Sequence, residues 1–126
     1  MENNRYPIAM KGKTEMEMEI HSVKEIFTKM PNAFNREAAT GLDVVIQYNI
    51  EGEEGGDWYV VIKDQACAIF EGTHDDPTLS LKMTDKNWIA LCKGELNAIN
   101  AFMSGKLKAK GDIMLAQRLP ALFSLS

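Results

Sequence analysis

The stretch Leu42-Asp43-Val44-Val45-Ile46-Gln47-Tyr48-Asn49-Ile50-Glu51 decides the architecture. In an extended chain Leu42, Val44, Ile46, Tyr48 and Ile50 fall on one side, with Asp43, Gln47, Asn49 and Glu51 on the other. A strand with one apolar face belongs to a sheet that is covered on one side and meets water on the other. The pattern continues outward. Gly52-Glu53-Glu54-Gly55-Gly56 has turn composition, and Trp58, Val60 and Ile62 then resume the alternation, so the spacing predicts a hairpin. Ala66, Ala68 and Phe70 alternate with Cys67, Ile69 and Glu71 in a third strand whose faces are less distinct. After His74-Asp75-Asp76-Pro77, Leu79, Leu81 and Met83 alternate with Thr78, Ser80 and Lys82. A short fifth strand over residues 106–110 carries Leu107 and Ala109 on one face and three lysines on the other.

Helical spacing frames these strands. Ile20, Val23, Ile26, Phe27 and Met30 form one stripe that continues to Phe34 and stops before Gly41. Thr84 is placed to cap a helix bearing Trp88, Ile89, Leu91 and Cys92, and Gly94 breaks it. Leu96, Ile99, Phe102 and Met103 make a second short amphipathic helix ending at Gly105. Gly111-Asp112 opens a terminal helix that reaches Phe123 and is bent by Pro120. Its residues Ile113, Leu115, Ala116, Leu119, Leu122 and Phe123 span roughly 180° of the wheel, against the roughly 100° that seats a surface helix. Met114 lies outside that arc. Such a helix packs deeper into its own core, docks on another chain, or closes over an apolar ligand. With a pliant start and a weakened far half, it is the element expected to open. The whole reads as α+β: a five-stranded sheet covered by helices on one face, with residues 1–19 a polar arm and 20–126 the domain.

Composition narrows the function. The 126 residues fit one domain, 45% hydrophobic and 25% charged. With 14 basic and 18 acidic residues the net charge is −4, a poor match to nucleic acid, which wants a concentrated basic face. No membrane span of about 18 apolar residues and no secretory signal is read, so a cytoplasmic location is expected. Cys67 and Cys92 sit in apolar surroundings and read as small buried residues, and no CxxC is present. His74-Asp75-Asp76 reads as a loop, and no second cluster accompanies it to hold a metal. The glycine-rich tip carries two glutamates, which suit no phosphate. No nucleophile–base spacing emerges, so neither an enzyme nor a cofactor is expected. Lys106, Lys108 and Lys110 either guard an edge strand or attract an anionic lipid surface.

The order of these elements and their local wording resemble the sterol carrier protein 2 (SCP-2) domain family. The match lies in Gly52-Glu53-Glu54-Gly55-Gly56-Asp57-Trp58, in Cys67, Gly72 and Asp76-Pro77, and in the strand from Leu79 to Met83. It is most specific in Gly94-Glu95-Leu96-Asn97, Ala101-Phe102-Met103-Ser104-Gly105-Lys106-Leu107-Lys108, Gly111-Asp112-Ile113-Met114-Leu115-Ala116 and Leu119. The resemblance implies an apolar tunnel between sheet and helices that binds fatty acids, fatty acyl-CoA, phospholipids or sterols, possession of which gives the wide terminal helix a purpose. It also implies the ligand-facing positions: Trp88, Ile89 and Cys92, then Phe102 and Met103, then Ile113, Met114, Leu119, Leu122 and Phe123, with Ile46 and Met83 from the sheet. Ser104 stands where some members carry glutamine, and the chain ends Leu125-Ser126 rather than in a Ser-Lys-Leu type of tripeptide. The expected role is therefore non-catalytic lipid binding and transfer. The rival is an interaction module whose apolar helix forms a homodimer or docks on an enzyme.

Overall fold

The computed structural model describes residues 22–123, so the polar arm, Ile20 and His21 lie outside the described residues. Helix α1 (Val23–Lys29) starts at Ser22, whose hydroxyl accepts from the Glu25 amide at 3.1 Å and donates to the Glu25 carboxylate at 3.0 Å. Two 3₁₀ turns, Met30–Ala33 and Glu37–Ala39, carry the chain to the first strand. Strands β1 (Asp43–Glu51), β2 (Gly56–Lys63) and β3 (Ala66–Glu71) form an antiparallel meander. A loop then crosses to β4 (Leu79–Thr84), which pairs parallel to β1. Helices α2 (Asp85–Cys92) and α3 (Ala98–Met103) follow, then β5 (Leu107–Gly111) antiparallel to β4, and the terminal helix α4 (Ile113–Leu122). The five-stranded sheet has the order β3-β2-β1-β4-β5.

Each cap anticipated from composition is made. Thr84 Oγ1 accepts from the Asn87 amide at 3.1 Å and Asp112 Oδ1 from the Leu115 amide at 3.1 Å. Asn97 does the same for α3, accepting from Ile99 and Asn100. Gly111 holds φ +108, and a β-carbon there would stand 2.5 Å from the Thr78 carbonyl. Only glycine lets β5 turn into α4 so close to β4.

Alternation places Val44, Ile46, Tyr48, Ile50, Val60, Ile62, Leu79, Leu81 and Met83 on the face packed by Val23, Ile26, Phe27, Trp88, Leu115 and Leu122. Phe27 is the hinge of this core. It stacks on Trp58 at 4.7 Å and on Trp88 at 5.3 Å, and meets the edge of Tyr48 at 5.3 Å. One ring from α1 thereby joins β2, α2 and the central strand, each contact adding roughly 0.5–1.5 kcal/mol to the area it buries.

The opposite face departs from the expected open surface. Gln47 points there, as its register requires, yet it is 2% exposed. Its side-chain amide donates to the carbonyls of Trp58 and Gly72, both at 3.1 Å, and its carbonyl accepts from the His74 amide at 2.8 Å. The β3–β4 loop is thus pegged down over the middle of the sheet. His74 is a loop residue, as read: its Nδ1 accepts from the Asp76 amide at 3.0 Å, and its ring meets the edge of Tyr59 at 5.3 Å. Replacing Gln47 with Ala removes the acceptor of the His74 amide and a donor from each of the Trp58 and Gly72 carbonyls, and an unmet, largely buried group costs about 1–3 kcal/mol. Urea unfolding of Gln47→Ala should show a loss of about 2–4 kcal/mol, with faster hydrogen exchange at the His74 amide. Wild-type stability in that variant would show that water replaces the peg without cost.

Candidate ligand cavity

A cavity of about 430 Å³ lies between the sheet and the helices, within the roughly 300–1,000 Å³ of small-molecule sites. Its floor is two cross-strand rows. Tyr48 on β1 pairs with Leu81, and Met83 on β4 pairs with Leu107. α2 supplies Trp88, Leu91 and Cys92, which recur at helical spacing, and Met30 joins them from the first 3₁₀ turn. α4 forms the facing wall through Ala116, Leu119 and Pro120, with Phe123 just beyond it. The rim is Gly94, Leu96, Asn97 and Ala98. Gly94, Asn97, Ala98 and Pro120 are also exposed, which puts the mouth between the α2–α3 connection and α4.

No charged side chain lines the cavity. The two titratable groups in its wall are held neutral by burial. Burial, and secondarily the neighbouring Cys92, pushes the Tyr48 phenol above its ordinary 10.0, and burial pushes the Cys92 thiol from 9.0 up to about 12. Among the described residues no group of three or more His, Cys, Asp or Glu is placed to hold a metal. The lining can exclude water and grip an apolar molecule by contact.

Of the twelve positions implied by the family resemblance, Met83, Trp88, Cys92, Leu119 and Phe123 line this cavity. The others stand elsewhere. Ile46 pairs with Leu79, one row away from Tyr48–Leu81, and is packed solid. Leu122 is buried on the core side of α4, and Ile89 is half-buried, turned about 100° from Trp88. Phe102, Met103, Ile113 and Met114 are exposed and line none of it. The reason for the last group is local: α3 seats itself through the small Ala101, and α4 through Leu115 and Leu122, which turns the larger residues outward. Tyr48, Leu81 and Leu107 were missed although they share the face of Met83, so alternation alone held the signal. Of the rim from Gly94 to Ala98, only Leu96 carried a periodic signal, as part of the α3 stripe; the helix begins at Ala98, and Leu96 lies in the connection before it.

The far end of α4 is also not free. The Asn35 amide donates to the Leu122 carbonyl at 2.8 Å, Phe123 bridges Phe34 as paired extended backbone, and their rings lie 5.4 Å apart. Arg118 donates to the Ala38 carbonyl at 3.0 Å. Two ties beyond Pro120 hold the last turn of α4.

The family model described as the SCP-2 sterol transfer family matches residues 23–124. The chain belongs to the SCP-2 sterol transfer family. It is 31% identical over 104 residues to hydroxysteroid dehydrogenase-like protein 2 of Rattus norvegicus, covering 82% of this chain and 20% of that protein. The chain therefore spans about a fifth of that curated relative. Among solved structures it is similar to palmitated SCP2L2 of Aedes aegypti, with a TM-score of 0.64, 24% identity, and coverage of 80% of this chain and 93% of that one. It is also similar to part of the sec-alkylsulfatase Pisa1 of Pseudomonas sp., with a TM-score of 0.71, 18% identity, and coverage of 84% and 17%. At these identities the structures show a shared fold: a mixed five-stranded sheet with helices, found free-standing in one case and inside a larger enzyme in the other.

Burial of the two acids sets a pH dependence. Folded Cys92 and Tyr48 hold their protons more tightly than unfolded, so the folded state binds more protons at alkaline pH. Stability is unaffected by them below about pH 9 and falls as pH rises towards about 12, each group adding a slope of about 1.4 kcal/mol per pH unit once its unfolded form ionises. Denaturant titrations at stepped pH should show a shallower alkaline decline for Cys92→Ala than for the wild type. Equal slopes would mean that the thiol ionises as readily folded as unfolded.

Proposed function

We propose that this SCP-2 domain holds an apolar molecule (a fatty acid, fatty acyl-CoA, phospholipid or sterol-like compound) in the cavity and releases it unchanged. The observation that carries this reading is the uncharged recess of about 430 Å³ beneath α4. A concave, apolar-walled recess of this size that opens at the surface has the form of a small-molecule site. Binding by sequestration needs no reacting group. Each buried methylene contributes about 0.8 kcal/mol, so a fourteen-carbon chain retains useful affinity after the cost of association. Methionines at 30 and 83 suit varied ligand shapes, because the unbranched thioether side chain adapts. That SCP2L2 of Aedes aegypti is palmitated supports an acyl chain as one occupant.

A second reading has the domain serve as a module of a larger assembly. It draws on the one-fifth coverage of the dehydrogenase-like relative, in which such a domain forms a minor part. The two readings are compatible, since a domain beside an enzyme can hold that enzyme's apolar substrate.

Leu119 is half-buried on the α4 wall and leaves room for a larger ring to enter the cavity. Titration with a fluorescent fatty acid should give saturable, competable binding to the wild type, and Leu119→Trp should weaken it by about tenfold or more, about 1.4 kcal/mol or more, with little change in melting temperature. Native mass spectrometry of freshly purified protein should show an added mass, and the released molecule should be chemically unaltered after incubation. Well-folded protein that binds no acyl probe up to its solubility limit would reject the carrier reading.

A further inference from the structure

Polar side-chain groups are few in the cavity wall and unevenly placed. Among the lining residues, side-chain N–H and O–H groups come only from Tyr48, Trp88 and Asn97, and a thiol from Cys92. Asn97 is exposed at the mouth, where its side-chain carbonyl already accepts from the Ile99 and Asn100 amides. Tyr48 and Trp88 stand at the inner end. They are 2% and 6% exposed, and their rings lie 5.1 Å apart.

Both inner donors are unmet. The Trp88 indole N–H is buried and finds no acceptor among the described residues. The Tyr48 hydroxyl likewise makes no hydrogen bond to a described residue. Burial keeps that phenol protonated, and therefore a donor, well beyond neutral pH. Buried donors in folded proteins are almost always paired, so two adjacent unpaired ones in one wall call for a partner that the chain itself does not supply.

The charge of that partner follows from the rest of the wall. An ionised carboxylate taken out of water needs a cation or several donors, and no Lys, Arg or His lines the cavity. A ketone, hydroxyl or ester oxygen is neutral, and one or two donors satisfy it.

We propose that Tyr48 and Trp88 form a polar end to the site, where the phenol hydroxyl and the indole N–H donate to one uncharged oxygen of an apolar ligand. Such a ligand enters oxygen first. A fatty-acid anion enters chain first and leaves its carboxylate at the mouth, beside Asn97 and water. Selection of this kind rests on the carrier reading and adds to it a preference and a direction.

Three ten-carbon probes test it: decane, methyl octyl ketone and decanoate at neutral pH, each displacing the fluorescent fatty acid. Tyr48→Phe removes the hydroxyl and keeps the ring. It should weaken the ketone about threefold to tenfold more than it weakens decane, and decanoate no more than decane. The chain has two tryptophans, and Trp58 lines none of the cavity, so the pair of indole N–H signals carries its own control. In a nitrogen–proton correlation spectrum of the wild type, the ketone should move the Trp88 signal downfield of its position with decane. The change at Trp58 should be far smaller. If Tyr48→Phe does not fold, these spectra decide alone. Equal losses for ketone and decane in Tyr48→Phe would mean that water, rather than ligand, meets the hydroxyl, and would overturn the assignment. So would one Trp88 position for both ligands, or decanoate that moves Trp88 as the ketone does. Each of those results leaves the carrier reading standing. Folded wild type that binds none of the three would instead reject the carrier reading, and this selection with it.

Discussion

The sandwich of Phe27 between Trp58 and Trp88 is the constraint on which the rest of the molecule depends. It fixes α1 against the hairpin and α2 against α1, with Tyr48 closing the group from the central strand. The Trp88 indole N–H is buried and meets no hydrogen-bond acceptor among the described residues. Tyr48 and Trp88 are also cavity wall, so the same rings that lock the core stop it from collapsing into the adjoining space.

The cavity therefore has two unlike sides. The floor is sheet and stacked aromatics, where movement of one side chain disturbs several others. The opposite wall is α4, a single helix with Pro120 inside it, held by the Asp112 cap at one end and by Asn35 and Phe34 at the other. A rigid floor sets the shape offered to a ligand, and a helix anchored at its ends but interrupted within can bow without coming away.

Legibility in the sequence followed the strength of the periodic signal. The strands were readable because the period of two in Leu42–Glu51 and its successors has one consistent buried face. The helix starts were readable because Thr84 and Asp112 have the capping chemistry that they prove to use. Facing direction was harder. Ile99, Phe102 and Met103 carry the hydrophobic spacing of a buried stripe, yet a six-residue helix is oriented by its neighbours, and here a single alanine seats it. Gln47 was read as water-facing because its register is right, while its burial depends on a loop 25 residues away. Cavity and core use the same residue types, so which apolar positions border empty space emerges only from three-dimensional packing.

The strand order also bears on how the chain reaches this state. β1, β2 and β3 are linked by short turns, as neighbours in sequence and in space, so their pairing needs little loop closure. The parallel seam between β1 and β4 is different: Ile46 must find Leu79 and Glu51 must find Thr84 across more than thirty residues. Until that seam closes, Leu81 and Met83 have no central strand to lie against, and the floor of the cavity does not exist. The entropic cost of the topology is thus concentrated in the joining of two halves, and the pocket exists only where they meet.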